Sequence, residues 1–578
     1  MAESEAPGLQ RPLTTLWSTR LDHWAPGLAR LRRYERGWLR GDVVGGLTVG
    51  ALLITQCMAY APIAGLPPSA AFQAVLIGIP LYAVFGTSRH LAIGPDPGTA
   101  LLAGAGLATV ARVGTDEYVT AGAALAVIVG VMLLVASVMR LGFVADLLSR
   151  PALIGYLAGL GITLFVSQIG KLTGVALPSD DVVGRIGDFL TNLDTIHGAS
   201  AAMGIGTFVL ILVLKRTTPR VPAALAGVVL ALVATWLFGL DEHGIAVVGD
   251  IDAGVPWPAW PGLPADDWLA LVGTAAGVAL VGYADSILTA RGVADRHRYT
   301  LDANRELSGL GFANAAAGLC QGMPLSSTGS GTAAMSSSGA NSSMGGIIAA
   351  AFVGVGLVAF PGVLEQIPQP ALAAVVAAAA IGLVEVDEFQ DLWRVSRTEL
   401  GIAVLTASSV ILFDVLIGIV LSVVLSLVIA VYRIARPHDA VLGDAAELDG
   451  WVSVDDYPQA VVEPGLLVYR FDAPLFFTNA GRYCERVLLA LRNQPGIERW
   501  VVLDMEGVGS IDGTAVASLR GLVDDVGREG VEVIAVARAN PRALDRLGRA
   551  GLLDPGGPIV VYATISGAVR AFRESNTS

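Results

Sequence analysis

Two short segments rich in Gly, Pro and Ser interrupt otherwise apolar sequence, and they constrain the fold more than any other feature. The first is residues 93–99 (IGPDPGT) and the second is residues 324–332 (PLSSTGSGT). Inside hydrocarbon every backbone N–H and C=O group must be hydrogen-bonded, so interrupted helix is tolerated only where it lines a cavity or is buried in protein. The two segments therefore predict a polar site enclosed by membrane-spanning helices.

The composition is that of a membrane protein. Of the 578 residues, 54% are apolar and 15% are charged, with a mean hydropathy of +0.64, whereas a soluble domain has roughly 25% charged residues. Cys57, Cys320 and Cys484 are far apart and form no disulfide or metal-binding pattern. The net charge of −13 disfavours nucleic acid as a partner, and the first apolar segment has no signal-peptide pattern.

Fourteen apolar runs have the length of candidate membrane spans, about 15–25 residues or slightly less. The third and tenth are too short to cross a bilayer alone, and they carry the interrupted segments. Two halves of seven, with the short span third in each half, are typical of an inverted repeat; hydropathy and position carry this prediction, because the halves share no detectable residue-level similarity. The sequence thus predicts an α-helical polytopic transmembrane domain over 43–436. The spans are 43–64, 69–86, 97–112, 119–140, 151–172, 198–216, 221–240, 267–290, 304–322, 327–338, 343–363, 367–385, 400–414 and 416–434.

Positive charge predicts how the spans are oriented. Cytoplasmic loops are enriched in Lys and Arg. The segment 1–42 contains Arg30, Arg32, Arg33, Arg36 and Arg40, whereas the loop 241–266, on the opposite side by this count, contains acidic residues and no Lys or Arg. With an even number of spans, we expect both termini to be cytoplasmic in a multi-pass protein of the inner (plasma) membrane.

The sequence after Pro437 has the character of a soluble domain. Residues 437–458 are polar and acidic and are predicted to be a linker. From 459 to 578, short β-type runs alternate with helical patterns, which predicts one α/β domain of ordinary size. It contains no Gly-rich phosphate loop. The predicted strands are 466–471, 500–503, 531–537 and 559–561, and the predicted helices are about 479–493, 514–528, 541–550 and 565–574.

Several motifs together resemble the sulfate permease (SulP) family, and the tail resembles the STAS domain which that family carries. The resemblance covers residues 25–575. It implies fourteen spans in two inverted repeats of seven, with a core domain that moves against a gate domain. It also implies a homodimer, and a role for STAS in regulating transport and in assembly. The motifs are 56–68 (QCMAYAPIAGLPP), 93–96 (IGPD), 302–307 (DANREL), 311–314 (GFAN), 324–332 and 414–418 (DVLIG), with 473–480 (APLFFTNA) and 511–515 (IDGTA) in the tail.

The interrupted segments predict a site for an anion. A half-helix that begins within the membrane presents unpaired N–H groups and partial positive charge at its N-terminus. Two such ends can attract an anion without a cationic side chain. Hydroxyls add donors and glycines permit close approach of the backbone, although small residues also serve helix packing. The predicted substrate-binding residues are Gln56, Tyr60, Asp96, Ser326, Ser327, Thr328, Gly329 and Ser330.

An acid within the eighth span is a candidate for binding a coupling cation. A carboxylate in the membrane costs roughly 2.5–3.5 kcal/mol on insertion scales and marks a functional residue. Thr289 follows Asp285 by four residues and hence lies on the same helix face. The resemblance implies that matching positions hold the ion in sodium-driven members of the family. We therefore predict Na⁺ at Asp285 and Thr289, or a proton at Asp285. The alternative is a structural acid near Arg291. No other cofactor or metal is predicted.

Asp96 and the polar residues of the first span each have two interpretations. Asp96 opens the third span, where a carboxylate caps a helix well. It could instead take up a proton as an anion binds, since burial and a nearby negative charge both favour the neutral carboxyl. Gln56 and Tyr60 lie one turn apart and either line the same cavity or make interhelical hydrogen bonds. Many family members carry Arg at the position that aligns with Gly331, so this site must rely on dipoles, hydroxyls and a bound cation.

Some residues that match the family pattern are predicted to be structural. Asn304, Glu306 and Asn314 are expected to hold the start of the ninth span and its interhelical contacts. Thr514 aligns with the residue that free-standing anti-sigma antagonists phosphorylate, and it is kept as a regulatory candidate. The commoner role is capping, and we predict that Asp512 and Thr514 cap the helix that follows.

The resemblance implies a secondary active transporter of a small inorganic anion, coupled to H⁺ or Na⁺ by alternating access. Sulfate is favoured by the family, while bicarbonate, chloride and C4-dicarboxylates use the same scaffold and nucleobase permeases share the fold. An alternative of another class is a non-transporting membrane sensor that signals through STAS. No catalytic constellation is present in the sequence, so an enzyme is not predicted.

Overall fold

The computed structural model describes residues 25–147, 149–179, 181–218, 222–240, 242, 244–249, 257–413, 415–445, 448, 450–493, 499–553 and 558–577. The chain divides into two compact units, with the boundary between Ser426 and Leu427. The first 24 residues of the predicted N-terminal segment, part of the acidic loop 241–266, and Asp414 of the 414–418 motif lie outside the described residues.

Apolar helices build the first unit, and a helix lies at each of the fourteen predicted positions. In the part of the chain that the structure describes, seven helices are long and apolar enough to cross a bilayer, by length and composition. The third and tenth helices have only 11 and 9 residues, which confirms that these two are short. The helices are α1 (Leu39–Tyr60), α2 (Pro68–Phe85), α3 (Pro97–Leu107), α4 (Asp116–Val138), α5 (Arg150–Thr173), α6 (Gly198–Thr217), α7 (Ala223–Phe238), α8 (Ala265–His297), α9 (Ala303–Leu319), α10 (Gly329–Ser337), α11 (Met344–Ala359), α12 (Gln369–Gly382), α13 (Arg397–Leu412) and α14 (Val415–Ala435).

Helix α8 is longer than predicted. It has 33 residues and ends at His297, whereas the predicted span ends at residue 290. Charged residues end an apolar run, but they do not end a helix that continues beyond the bilayer. Shorter helices precede the first span or lie between spans. They are Pro26–Arg32, Arg36–Trp38, Ala61–Ile63, Leu141–Leu147, Val182–Thr191, Leu193–Thr195, Pro361–Glu365 and Val386–Val395.

The packing of the helices has the symmetry of an inverted repeat. If each helix of the first seven corresponds to the helix seven places later, contacts occur in matched pairs. Helix α4 packs on α9 as α11 packs on α2, and α1 packs on α11 as α8 packs on α4. Helix α1 also packs on α10 as α8 packs on α3, and α5 packs on α13 as α12 packs on α6. The repeat that hydropathy predicted is therefore present in the contacts.

These contacts sort the helices into two groups, which we call the core domain (α1–α4 and α8–α11) and the gate domain (α5–α7 and α12–α14). Helices α5, α6, α7, α12 and α13 pack mainly on one another. Helix α14 joins them through Ser426, which hydrogen-bonds Ser149 at 2.9 Å just before α5. Gly155 of α5 lies so near α13 that an added Cβ would stand 2.1 Å from the carbonyl oxygen of Ala403. Small residues permit this approach of backbones.

A six-stranded sheet lies at the centre of the second unit. Its strands are β3 (Asp439–Ala445), β4 (Gly450–Ser453), β5 (Leu466–Phe471), β6 (Trp500–Asp504), β7 (Val533–Ala537) and β8 (Ile559–Tyr562). Their order across the sheet is β4-β3-β5-β6-β7-β8, with β5–β8 parallel and β3 antiparallel to both β4 and β5. Helices pack on both faces, over two separate apolar clusters, as parallel strands require. These helices are α15 (Ala480–Arg492), α16 (Gly513–Arg528), α17 (Pro541–Arg549) and α18 (Ile565–Thr577).

The segment 437–458 differs from the predicted linker, because it contributes β3 and β4 to the sheet. Because the segment contains several acidic residues, the alternation of buried and exposed positions that marks a strand is weak in its sequence. Along β3, Ala440 and Leu442 are buried while their neighbours Asp439 and Val441 are only half-buried. An antiparallel strand beside the sheet edge tolerates such polar positions.

Candidate functional site

The two interrupted segments meet and pair. Strand β1 (Ile93–Gly94) and strand β2 (Ser326–Ser327) form a two-stranded antiparallel sheet, with Ile93 opposite Ser327 and Gly94 opposite Ser326. Each strand leads directly into a short helix, α3 after β1 and α10 after β2. Because the strands run in opposite directions, the two helices leave in opposite directions and begin beside one another. Their N-termini therefore form one site inside the core domain.

Asp96 caps helix α3. Its carboxylate accepts hydrogen bonds from the backbone N–H groups of Gly98 at 2.9 Å and Thr99 at 3.0 Å. This is the first of the two roles predicted for Asp96. Its uptake of a proton with substrate stays a prediction.

Helix α10 begins without a side-chain cap. Thr328 occupies the cap position, and its side chain makes no capping bond; its backbone N–H instead donates to Ala92 O at 2.8 Å. Gly329 and Ser330 follow and are exposed, although residues 326–328 are buried. A Cβ added to Gly329 would meet nothing within 4 Å. The first turn of α10 thus presents backbone N–H groups toward open space, as an anion site requires.

Helix α8 holds β2 in place. Ser286 Oγ accepts from Ser327 N at 3.0 Å and donates to Gly282 O at 2.5 Å. The hydroxyl of Ser327 donates to the carboxylate of Asp285. Asp285 is thus joined to the interrupted segment and does not belong only to the end of α8 that carries Arg291. Thr289 lies one turn further along and is half-buried.

Helix α1 supplies a polar side chain to the same site. Gln56 Nε2 donates to Ser330 Oγ at 3.1 Å, and Gln56 Oε1 is buried without a hydrogen-bond partner. A Cβ added to Gly94 would stand 2.5 Å from Leu53 Cδ2 and 3.9 Å from Gln56 Oε1, so α1 contacts β1 as well. Tyr60, one turn from Gln56, is buried. The interhelical hydrogen bond predicted as one role of Gln56 is present.

The site carries negative charge and no basic side chain of its own. Neither 93–99 nor 324–332 contains Lys, Arg or His, and the carboxylates of Asp96 and Asp285 are close enough to interact electrostatically. At Gly331 an added Cβ would lie 2.4 Å from Thr328 Oγ1 and 3.0 Å from Ala92 Cβ. A side chain at residue 331 would therefore require Thr328 to move.

Tyr156 is a residue of this region that the sequence did not indicate. It belongs to α5 in the gate domain, it is 2% exposed, and its hydroxyl has no hydrogen-bond partner. A Cβ added to Gly98 would lie 3.0 Å from Asp96 Oδ2 and 3.6 Å from Tyr156 Oη. A buried, unpaired hydroxyl is costly and is unusual outside functional sites. The sequence signal for this residue is a single Tyr within an apolar helix. A Tyr whose hydroxyl lies at the membrane interface gives the same pattern, so the signal does not identify a site residue.

The residues predicted to be structural make the expected contacts. Glu306 accepts hydrogen bonds from Tyr82 at 2.5 Å and from Thr87 and Ser88. Asn314 donates to Leu310 O and Leu325 O and accepts from Leu325 N at 2.8 Å, which fixes the approach to β2. Asn304 Oδ1 accepts from Gly142 N at 2.8 Å.

In the second unit, the capping prediction is correct for Asp512 and wrong for Thr514. The Asp512 carboxylate accepts from Ala515 N at 2.7 Å at the start of α16. Thr514 lies inside the first turn, where its side chain is exposed. A cap bond reaches the N–H group two or three residues ahead, so only the residue before the helix can make it. Regulation through Thr514 stays a prediction.

Fold and site define a polytopic membrane protein with an inverted repeat, two facing interrupted helices and a C-terminal α/β domain. The sulfate permease family model matches residues 39–406, and the STAS domain model matches residues 457–568. The chain belongs to the sulfate permease family. The resemblance seen in its motifs is therefore confirmed.

Similar proteins cover almost the whole chain. A probable sulfate transporter of Mycobacterium tuberculosis (strain CDC 1551 / Oshkosh) is 40% identical over 550 residues, covering 95% of this chain and 98% of the relative. Among solved structures, murine solute carrier 26 family member A9, an anion transporter in the inward-facing state, aligns with a TM-score of 0.88 at 21% identity over 99% of this chain and 96% of its own. The transmembrane domain of a cyanobacterial bicarbonate transporter, BicA, aligns with a TM-score of 0.59 at 22% identity over 69% of this chain and 98% of its own. These structures share the fold.

Proposed function

We propose that the protein is a secondary active transporter of a small inorganic anion, coupled to H⁺ or Na⁺ and working by alternating access. The observation that carries this proposal is the antiparallel pairing of β1 with β2, which brings the N-termini of α3 and α10 together inside the core domain. Interrupted helices whose positive dipole ends converge are the means by which transporters bind anionic groups at mid-membrane.

The anion binds at the first turn of α10. The N–H groups there have no side-chain cap, and Ser330 adds a hydroxyl whose oxygen already accepts from Gln56, leaving its own proton free to be donated. Asp96 occupies the corresponding position on α3. The two helix ends therefore differ: α10 receives the anion, and α3 carries its own carboxylate.

Charge supports the coupling to a cation. Asp96 and Asp285 together would repel an anion, and no basic residue is present in either interrupted segment. A proton on one carboxylate, or one Na⁺ shared by both, removes one of the two negative charges, weakens this repulsion and so links cation binding to anion binding. The hydrogen bond from Ser327, which connects Asp285 to β2, supports this role for Asp285. Thr289, a turn away, would complete a sodium site.

Sulfate is the substrate we favour. The relative that is 40% identical over 95% of this chain is described as a probable sulfate transporter. Bicarbonate, the substrate named for BicA, chloride and C4-dicarboxylates are the alternatives that the transport assay separates. A nucleobase permease is disfavoured by the positive helix ends, which suit an anion.

Movement of the core domain against the gate domain would carry the site across the membrane. We propose a homodimer in the plasma membrane with both termini cytoplasmic, in keeping with the arginines between 30 and 40. The STAS domain would regulate transport or contribute to assembly. A non-transporting sensor is disfavoured by the polar, uncapped α10 and by the acid in α8.

Reconstitution tests the proposal. The purified full chain is incorporated into liposomes, and uptake of labelled sulfate, bicarbonate, chloride and succinate is measured under imposed pH or sodium gradients. We expect gradient-dependent uptake of sulfate. Absence of gradient-dependent uptake of every anion would contradict the proposal, and uptake of another anion only would move the substrate assignment to that anion.

A further inference from the structure

One hydroxyl of the gate domain is buried against the core domain without a hydrogen-bond partner. It belongs to Tyr156 of α5, which is 2% exposed, and its Oη finds no partner among the described residues. Such a group is disfavoured, because it has lost its hydrogen bonds to water and gained none in return. The hydroxyl of Tyr156 therefore stabilises the protein only in a state that supplies a partner.

An acceptor with spare capacity lies on the core domain. Asp96 caps α3 through two hydrogen bonds, and both are accepted by one carboxylate oxygen, Oδ2. A carboxylate offers about four acceptor positions, so Oδ1 can accept a further hydrogen bond. Tyr156 and Asp96 are thus an unmatched donor and an acceptor on opposite sides of the boundary between the two domains.

The two groups approach one another at the first turn of α3. A Cβ added to Gly98 would lie 3.0 Å from Asp96 Oδ2 and 3.6 Å from Tyr156 Oη. That Cβ would also lie 2.9 Å from Leu160 Cδ2, one turn after Tyr156, so α5 contacts α3 along two successive turns. Tyr156 is close enough to interact electrostatically with Asp96 and with Asp285. A small shift of α5 relative to α3 would bring the donor and the acceptor into contact.

Tyr156 is attached to the gate domain, so its distance from Asp96 changes whenever the two domains move. Helix α5 packs tightly on α13, since a Cβ added to Gly159 would stand 2.8 Å from Ala407 O. Tyr60 of α1 also interacts electrostatically with Asp96, but α1 belongs to the core domain and moves with Asp96. Of these two phenols, Tyr156 is the one that reaches Asp96 across the domain boundary.

We propose that Tyr156 is a positioning residue of the transport cycle, and that its hydroxyl donates to Asp96 Oδ1 in the arrangement of gate and core that alternates with the one described. This inference rests on the proposed alternating access. A phenol that donates to a carboxylate makes a charge-assisted hydrogen bond, so the bond favours the second arrangement while Asp96 is ionised. A proton or Na⁺ on Asp96 weakens this acceptor. The coupling cation would thereby also control the movement of the domains.

A double-mutant cycle in thermal midpoints tests the bond without any assay of transport. Tyr156→Phe removes the hydroxyl and keeps the ring. Asp96→Ser keeps an oxygen that can cap α3 and removes Oδ1. Thr406→Val is the matched control, because Thr406 Oγ1 in α13 is likewise buried and has no partner in the part of the chain that the structure describes. Each full-length variant is purified and unfolded by heat in the same detergent.

We expect Tyr156→Phe to lower the midpoint by about 2 °C or more in the unmodified chain, and not to lower it in the Asp96→Ser chain. Thr406→Val should not lower the midpoint, since it removes a hydroxyl that bonds nothing. If Asp96→Ser does not fold, Asp96→Asn takes its place and should reduce the effect of Tyr156→Phe about two-fold, because the acceptor loses its charge.

Two results would overturn the proposed bond. An equal loss from Tyr156→Phe with and without the change at Asp96 would assign the hydroxyl to another partner, such as a bound water. A midpoint that rises in Tyr156→Phe, as expected for Thr406→Val, would show that the hydroxyl makes no bond in any populated state.

Uptake into liposomes separates a positioning role from contact with the anion. For the anion that the unmodified chain transports, Tyr156→Phe should lower the maximal rate about ten-fold or more. The concentration that gives half the maximal rate should change less than about two-fold. A raised half-saturating concentration at an unchanged maximal rate would place the hydroxyl on the anion and contradict the proposal. If the unmodified chain takes up no anion, the proposed function fails, and the midpoint cycle alone decides the hydrogen bond.

Discussion

Asp285 and Ser327 form the contact through which a cation at the site would affect the anion. The Ser327 hydroxyl donates to the Asp285 carboxylate, and the Ser327 backbone belongs to β2, immediately before the turn into α10. A change in charge at Asp285 therefore alters the electrostatic environment of Ser327, which is two residues before Gly329. Gln56 acts from the other side, through its hydrogen bond to Ser330.

Replacing Asp285 with Asn should uncouple or abolish transport. The amide keeps the shape of the side chain but cannot take up a proton or hold Na⁺, so gradient-driven uptake should fall at least about ten-fold, which corresponds to about 1.4 kcal/mol. Uptake into liposomes under pH and sodium gradients measures this. Asp295→Asn, at the exposed end of the same helix, is the control and should retain coupled uptake. Coupled uptake that survives in Asp285→Asn would refute the cation assignment.

A methyl group at Gly331 should destabilise the start of α10. The added Cβ would lie 2.4 Å from Thr328 Oγ1, and overpacking of this kind costs about 1–3 kcal/mol. The thermal midpoint of the purified protein in detergent should fall accordingly. Gly329→Ala, two residues away with nothing within 4 Å of its new Cβ, is the matched control and should leave the midpoint nearly unchanged. Equal midpoints for the two variants would show that residue 331 accommodates a methyl group without strain.

At the scale of elements, the two interrupted segments hold one another by very few backbone pairs and depend on neighbouring helices. Asn314 of α9 fixes the entry to β2, and Ser286 of α8 fixes its exit. Strand β1 is linked to α10 by Ala92, whose N–H donates to Thr332 Oγ1 at 3.0 Å. Side chains thus replace the backbone partners that a continuous helix would provide.

Replacing Asn314 with Leu should weaken this element. The change removes three hydrogen bonds and leaves the N–H and C=O groups of Leu325 without this partner, at about 1–3 kcal/mol for each buried group. We expect a lower thermal midpoint and faster proteolysis near β2. The control is Asn341→Ala, whose exposed side chain bonds only a nearby carbonyl. A midpoint as high as that of the control would show that Asn314 does not support β2.

The sequence predicted positions of helices well and contacts between them poorly. Apolar run length gave all fourteen helices, since the bilayer imposes that length, and Gly and Pro gave the two breaks. Tyr156 and Ser286 were missed because their roles depend on which helices adjoin α3 and β2, and that is a tertiary property. The strands β3 and β4 were read as a linker because acidic positions masked a weak alternation. Thr514 was placed in a cap because alignment does not fix the helix start to one residue.

At the scale of the whole molecule, the division between the units lies at Ser426, near the middle of α14. The core domain, the paired strands β1 and β2, and the gate domain as far as Ser426 belong to the first unit, and the rest of α14 belongs to the second. The sheet of the second unit begins at Asp439 and includes two strands before the predicted domain start. The α/β domain therefore begins earlier in the chain than composition alone indicated.

Deleting residues 438–578 should leave membrane insertion intact and change activity or assembly. The described helices α1–α14 all end before residue 438, so the truncated chain retains every one of them. Carbonate-resistant membrane association and crosslinking of the truncated and full-length chains measure the two outcomes. Loss of insertion in the truncated chain would contradict the independence of the two units.

The site of the bound anion tests the central claim most directly. Selenate is a heavier analogue of sulfate, and its anomalous signal locates it without reference to any assay of transport. A structure of the full-length protein with selenate, collected near the selenium edge, should show one peak beside Gly329 and Ser330, between the first turns of α10 and α3. A peak elsewhere in the core domain, with the first turn of α10 empty, would contradict the claim that the facing helix ends bind the anion.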